Sequence, residues 1–384
     1  MTAKPLGLGI ATLLAAYLAI APTACGQDNS GDTRSPLADA GGSPGPVAAP
    51  PEELPPPGFT LQPPAGPPQP NTADDPFSMG GRGGGMLLGM GGGPSGPSYK
   101  ALWMPAEPVH NQATNLGMEQ QDLSVGVPLW KDGPDGVNFS THVRWEIIQT
   151  EAILPDTQRP FPAELWNVGF GTSYHHLFDN GWTGGATINL GSASDQPFDS
   201  LREATVMASG FLRVPQGERN AWIFSLSFST NSQVLYNLPI PGVMYFYNPS
   251  DAFQALVGFP FARVNMHPWE RWRFELSYGL LTSIHARAIY QPVPWLDCYA
   301  GFDWLNESYL LVDRPVDNDR FYYYEKQVSG GVQFKFPRHL TLDFSAGYAF
   351  DRYYFEGTGF RVSGTDQVDI GSGPFLGAQL RARF

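Results

Sequence analysis

The sequence has little of what a disulfide-rich or nucleic-acid-binding protein needs. Only two of its 384 residues are cysteines, Cys25 and Cys298, too few for a disulfide framework or a cysteine-based zinc site. It has 23 lysines and arginines against 36 acidic residues, and a net charge of −13 argues against phosphate-backbone binding. Charged residues make up 15% of the chain, whereas about a quarter is usual in soluble domains. We expect no metal, no cofactor and no nucleic-acid partner.

Long apolar runs are also missing, and their absence excludes a helical membrane protein. After the N-terminus no stretch of about 18 apolar residues occurs. Residues 1–25 are typical of a secretory signal peptide, with Lys4 before a short apolar core and small residues at its end. The end of this segment resembles a bacterial lipobox, except that Pro22 stands where leucine is usual. Lipidation of Cys25 and ordinary cleavage close to Ala24 both remain open.

Residues 26–98 are dominated by proline, glycine, serine and alanine. Proline clusters favour extended conformations, and the glycine-rich stretch 80–93 cannot bury enough apolar area to offset its chain entropy. No Gly-Lys-Ser/Thr follows these glycines, so they do not form a phosphate-binding loop. We predict a disordered spacer.

From residue 99 onward the sequence consists of segments of about ten residues in which apolar and polar residues alternate. In 270–280, large apolar residues occupy every second position, and arginine, glutamate and serine occupy most positions between. Segment 340–350 repeats this pattern, and helix-period stripes are hard to find. The sequence therefore predicts an all-β domain over 99–384.

The connections between these segments alternate in length. Short ones are predicted at 178–181, 215–218, 291–294 and 337–338, and long ones at 150–163, 192–202, 231–252, 306–320 and 351–373. Short turns at one end and long loops at the other are typical of a spanning barrel. Counting a further strand near 99–113, we predict a transmembrane antiparallel up-and-down β-barrel of about 12–14 strands.

The chemistry of the two faces indicates a membrane barrel in the bacterial outer membrane. The apolar face is rich in tryptophan, phenylalanine and tyrosine, as expected for girdles at the lipid interfaces. The other face carries charged groups that suit a wet interior. The chain ends in Phe384, which resembles the terminal aromatic that the barrel-assembly machinery recognises. Outer-membrane lipid and this machinery are the expected partners; a soluble secreted β-sandwich that binds glycans is the alternative.

The runs from Glu270 to Leu276 (ERWRFEL) and from Ser283 to Arg287 (SIHAR) resemble a family of uncharacterised exported bacterial outer-membrane β-barrel proteins, a domain of unknown function. The resemblance could extend over most of the chain after Tyr99. It implies a barrel fold and an outer-membrane location, and it implies no activity.

The inward charges are the candidate functional residues. We predict that the following line the lumen: Arg144, Glu146, Arg271, Arg273, Glu275, Arg287, Asp303, Lys335, Asp343 and Arg381. They could tune a pore or transporter-like channel for small solutes, or pair across a closed structural or surface-binding barrel; both interpretations stay open. A lipid-modifying enzyme is a further alternative. Ser140 and His142 share a face, but no orienting partner is evident, so we expect no enzymatic activity.

Overall fold

A computed structural model describes residues 96–384 except 233–237, 280–282, 338, 360–363 and 383–384. The predicted signal peptide with Cys25, nearly all of the predicted spacer, and Phe384 lie outside the described residues. In the described part all regular secondary structure is strand, and no helix there is long and apolar enough to cross a membrane.

The strands follow one another along the chain. Their bounds are β1 (Ser98–Pro108), β2 (Asn115–Asp132), β3 (Asp135–Thr150), β4 (Glu164–Leu177), β5 (Thr183–Ser194), β6 (Ala204–Gln216), β7 (Asn220–Ser229), β8 (Ile240–Ser250), β9 (Phe253–Phe259), β10 (Phe261–Trp269), β11 (Trp272–Gly279), β12 (Ser283–Val293), β13 (Leu296–Tyr309), β14 (Arg320–Phe336), β15 (Leu340–Gly357), β16 (Thr365–Ile370) and β17 (Gly373–Ala382).

The strands form one closed sheet. From β1 to β15 each strand pairs antiparallel with the next, and β17 pairs with β1, so that Ser98 lies opposite Arg381. Both β16 and β17 pair with β15, which makes them consecutive pieces of one wall strand and gives a wall of 16 strands. Closure leaves no edge available for aggregation. The predicted up-and-down barrel is confirmed, and the predicted number of 12–14 strands was too low.

The two missing strands lie where both faces of the wall are apolar. Strand β8 falls inside the predicted loop 231–252, and the single segment predicted at 253–264 is the hairpin β9–β10, which turns at Pro260. The inner side chains of this region, including Met244 and Phe246, form a buried apolar cluster. On β8 the alternation between apolar and polar residues disappears, so the period-two pattern does not predict that strand.

The two ends of the barrel differ. At the terminal end, where β1 begins and β17 finishes, the strands are joined by short turns such as 178–182, 217–219 and 294–295. Gly181 (φ 80) and Gly217 (φ 70) occupy left-handed conformations in two of them. At the far end, long loops span 151–163, 195–203 and 310–319, as the alternating lengths of the connections predicted. The predicted loop 351–373 was wrong, because it contains the end of β15 and all of β16.

The wall is much taller on one side than on the other. Strands β2 and β15 have 18 residues each, and β14 has 17. Strands β9, β10 and β11 have only 7, 9 and 8 residues. Successive side chains of a strand point to opposite faces, and paired residues of neighbouring strands point to the same face. The wall therefore has one continuous inner face and one continuous outer face.

The outer face is apolar and exposed. Its large side chains include Ile188, Trp222, Leu226, Leu276, Val328, Phe344 and Leu376, each between 41% and 59% exposed. The inner face is identified by contacts between strands that are not neighbours in the sheet, such as the ion pair of Arg144 on β3 with Glu307 on β13.

Candidate functional site: the capped interior

A charged network crosses the interior from β3 to β13. Arg144 pairs with Glu307 and, at 3.1 Å, with Asp122 of the adjacent strand β2. The Tyr309 hydroxyl lies within hydrogen-bond distance of two carboxylates, 3.1 Å from Glu146 and 2.8 Å from Glu307. Strands β3 and β13 lie on opposite sides of the sheet order, so these contacts bring the two walls together.

A second buried pair lies against β1. The Arg352 guanidinium donates to Glu325 at 3.2 Å, and both side chains are 1% exposed. The same guanidinium contacts the Met104 sulfur at 3.2 Å. Removing one partner of such a pair leaves an uncompensated buried charge, which costs about 3–5 kcal/mol. This pair therefore holds β14 and β15 in place.

The far mouth is covered by loops that bind one another. The Leu310 amide donates to the Ala193 carbonyl at 2.7 Å, and the Val312 amide donates to Asp195 at 3.0 Å. These bonds lay the β13–β14 connection on the end of β5. Farther along, Arg314 donates to Glu203 at 2.9 Å, with both side chains almost fully buried. We call the three loops 151–163, 195–203 and 310–319 the cap.

Loop 151–163 folds inward under the rest of the cap. Phe161 is 6% exposed and packs edge-on against Phe321 and Tyr354, with ring centroids 5.5 and 5.0 Å away. Arg159 binds Asp313 at 2.8 Å and also pairs with Glu356. These aromatic contacts extend an apolar cluster that fills the far end beside β1–β5 and β13–β17. On that side the interior is closed.

Toward the terminal end the inner face of β10–β15 is ionic. Its contacts are Arg273 to Glu275 (2.9 Å) and Asp297 (3.7 Å), Lys335 to Asp297 (2.8 Å), His285 to Asp303 (2.5 Å) and the Tyr299 hydroxyl to Asp343 (2.7 Å). Arg287 lies over the Tyr299 ring, with its guanidinium carbon 4.6 Å from the centroid. Oppositely charged groups thus line this part of the wall in register.

The structure brings most of the predicted lumen residues onto this inner face. Those on it are Arg144, Glu146, Arg273, Glu275, Arg287, Asp303, Lys335, Asp343 and Arg381; Arg381 donates to Gln379 at 2.9 Å. Arg271 is separated from them, because it lies exposed in the turn between β10 and β11. The pairs of Arg159, Arg314 and Arg352 were not predicted. They lie in or next to predicted loops, where alternation carries no information.

The proposed serine–histidine arrangement has a different geometry from a hydrolase site. His142 hydrogen bonds with Asn167 at 3.0 Å on the inner face. Within the described residues, no hydrogen bond joins Ser140 to His142. No group of three or more histidine, cysteine, aspartate or glutamate residues in the described ranges is arranged to hold a metal ion.

The cap carboxylate Glu203 provides a pH test of the far mouth. Burial opposes its charged form, but hydrogen bonds from Ser200 and Arg314 outweigh burial and lower its pKa below the ordinary value of 4.5. A lowered folded-state pKa gives stabilisation that is complete above the unfolded pKa and is lost as pH falls through the folded one. We expect loop 195–203 to resist proteolysis from pH 7 to about 5 and to loosen below about pH 4. A midpoint near pH 6 would contradict this, and Glu203→Gln is the control that removes the acid transition.

No family model matches the chain, and no curated protein is found as a relative. The resemblance of the Glu270–Leu276 run therefore stays a prediction. Among solved structures, an outer membrane channel from Pseudomonas putida F1 matches 76% of this chain and 96% of its own, at 9% identity and TM-score 0.33. OccK7 (OpdD) of Pseudomonas aeruginosa matches 74% of this chain and 98% of its own, at 11% identity and a TM-score of 0.32. The β domain of the Bordetella autotransporter BrkA matches 75% of this chain and 99% of its own, at 12% identity and a TM-score of 0.29.

The chain's own geometry defines a class. It is a closed antiparallel up-and-down β-barrel of 16 strands, with an exposed apolar outer face, an ionic inner face and a far mouth covered by its own loops.

Proposed function

We propose that this chain is an outer-membrane barrel that passes small solutes through its interior, and that the cap closes the far mouth in the state described. The observation that carries this proposal is the opposite chemistry of the two faces of one wall. On β14 and β15, for example, Val328 and Phe344 are 45% and 47% exposed outside, whereas Asp343 is 8% exposed inside.

The outer face supports the membrane location. A soluble monomer rarely exposes large contiguous apolar patches, and a soluble sandwich turns its apolar faces toward each other. Here exposed large apolar side chains occur on every strand from β4 to β11 and again on β14, β15 and β17. Lipid is the solvent in which such a surface is stable.

The inner face supports the passage of solutes. Ionic side chains extend from the terminal end toward the cap, along β10–β15 and across to Arg144. Charged rings of this kind tune which solutes enter a barrel. The cap is held to itself by hydrogen bonds and ion pairs between loops, which are the elements of a barrel that move most readily.

A closed structural or surface-binding barrel is the second candidate, and one observation favours it. The far-end cluster contains fully buried side chains of the wall itself, including Leu116 and Leu165 at 0% exposure. Such packing would persist after the cap had moved. A closed barrel would then show no conductance in either state.

Two measurements test the proposal. In cells, we expect the protein in the outer-membrane fraction and, on gels, a migration in detergent that changes on heating because intact barrels resist unfolding. In planar bilayers, we expect infrequent stepwise currents, since the cap keeps most molecules shut. Recovery as a soluble periplasmic or secreted protein would contradict the location. We propose that the protein does not hydrolyse lipids, and we expect phospholipid incubated with refolded protein to remain intact.

A further inference from the structure

Arg263 and Arg287 lie on the inner face and form no ion pair with a carboxylate of the described residues. Arg263 of β10 contacts only the Asn265 side chain, at 3.4 Å, and no carboxylate of the described residues lies within ion-pair distance. Arg287 of β12 is held over the Tyr299 ring. Its Nε is buried and has no hydrogen-bond acceptor within the described part of the chain. Most other inner-face arginines, including Arg144, Arg273 and Arg352, pair with a carboxylate.

The nearby acids are already engaged. Glu275 accepts from Arg273 at 2.9 Å, and Asp303 is bound to His285 at 2.5 Å. Asp343 accepts from the Tyr299 hydroxyl, and Asp297 is held by Lys335 at 2.8 Å. Within the described residues, none of these carboxylates forms an ion pair with Arg263 or Arg287.

The register places the two arginines close together. Strand β11 separates β10 from β12; Arg263 lies opposite Ser277, and Arg287 lies opposite Glu275, two positions along the same strand. Neighbouring strands are about 4.8 Å apart, so the two backbones are separated by about 10 Å. Two long arginine side chains can reach one small ion across that distance. Between them on β11, Glu275 pairs with Arg273, which also lies 3.7 Å from Asp297.

We infer that Arg263 and Arg287 form a binding site for the oxyanion group, carboxylate or phosphate, of a small solute. The inference deepens the proposed function, since it names the solute class for the same interior. A guanidinium is always charged and presents planar pairs of N–H donors that match oxyanions. The buried Nε of Arg287 supplies a donor that gains an acceptor when the anion binds. The ring of Tyr299 holds that guanidinium in place beforehand.

Binding is measured on refolded full-length protein in detergent, independently of conductance. Succinate and inorganic phosphate are titrated separately by calorimetry at constant ionic strength, with chloride as the balancing anion. For the double variant Arg263→Gln/Arg287→Gln we expect at least about tenfold weaker binding of both, because two charge-assisted contacts are lost. The variant Arg271→Gln is the matched control, since Arg271 is exposed in the turn and should bind like wild type. Arg263→Lys/Arg287→Lys should recover part of the affinity.

The outcomes separate this inference from the channel proposal. Binding lost only in the double glutamine variant supports the site, even if no current is ever recorded. Currents without oxyanion binding would leave the channel in place and overturn the site. Equal binding by wild type and the double variant, both showing the heat-dependent migration of an intact barrel, would also overturn it. A preference for phosphate over succinate, or the reverse, identifies which oxyanion the site favours.

Discussion

Replacing Val328 with arginine is expected to destabilise the folded barrel in lipid by about 2–4 kcal/mol, whereas arginine at the adjacent Ser329 should cost far less. Val328 lies at the middle of β14, on the outer face, with Phe302 and Tyr348 opposite. Ser329 lies on the inner face, where Gly301 and Gly347 are its cross-strand neighbours. The two substitutions place the same side chain on the two faces of one strand.

The measurement is denaturant unfolding in lipid vesicles, followed by tryptophan fluorescence and by migration on gels. A soluble barrel would give the opposite order. In water, a half-exposed surface valine is replaced by arginine within about 0.5 kcal/mol, and the inner position carries the larger cost. If Val328→Arg is tolerated and Ser329→Arg is not, the proposed lipid-facing surface is wrong.

Replacing Arg314 with alanine is expected to open the cap and to raise the frequency of bilayer currents about tenfold or more. Loss of one member of the buried Arg314–Glu203 pair costs about 3–5 kcal/mol, because Glu203 is left without its counter-charge. The same guanidinium also bonds to the Leu311 and Arg202 carbonyls at 2.6 and 2.9 Å. Its removal therefore breaks the contacts of loop 310–319 with Glu203 and Arg202, and leaves the Val312–Asp195 bond and the exposed Arg202–Asp317 pair between the two loops.

A neighbouring ion pair provides the matched control. Arg202 pairs with Asp317 across the same two loops, but their side chains are 50% and 74% exposed. An exposed pair contributes about 0–1 kcal/mol, so Arg202→Ala should leave the currents unchanged. Limited proteolysis of loop 310–319 shows independently whether the cap has loosened. A cap that is cleaved rapidly in Arg314→Ala while the bilayer stays silent would favour the closed structural barrel.

Alternation predicted the architecture well because a barrel wall has two solvents, one on each side. Strands such as β11 and β15 display that contrast at almost every position, and parity assigns their charges Arg273, Glu275 and Asp343 to one face of the wall. The strand count failed where the contrast vanishes. Around Met244 and Phe246 the interior is as apolar as the exterior, so β8 looked like a loop.

The cap could not be predicted for a related reason. Its partners are far apart in the chain: Arg159 meets Glu356, and Arg314 meets Glu203, through loops that have no periodicity. Likewise, parity placed Arg287 inside but gave no indication that it lacks an acidic partner. That property depends on which neighbouring carboxylates are already occupied, and it emerges only when the strands are in register.

In the membrane location proposed above, the unequal height of the wall deforms the surrounding bilayer. A tilted strand needs about 9–11 residues to cross a hydrocarbon core of about 30 Å. Strands β9 and β11, with 7 and 8 residues, fall short of that length, whereas β2 and β15 exceed it. Lipids beside β9–β11 must thin, or the barrel must lean toward them. The deformation is therefore confined to one side of the barrel, so the protein has a defined orientation within the membrane plane.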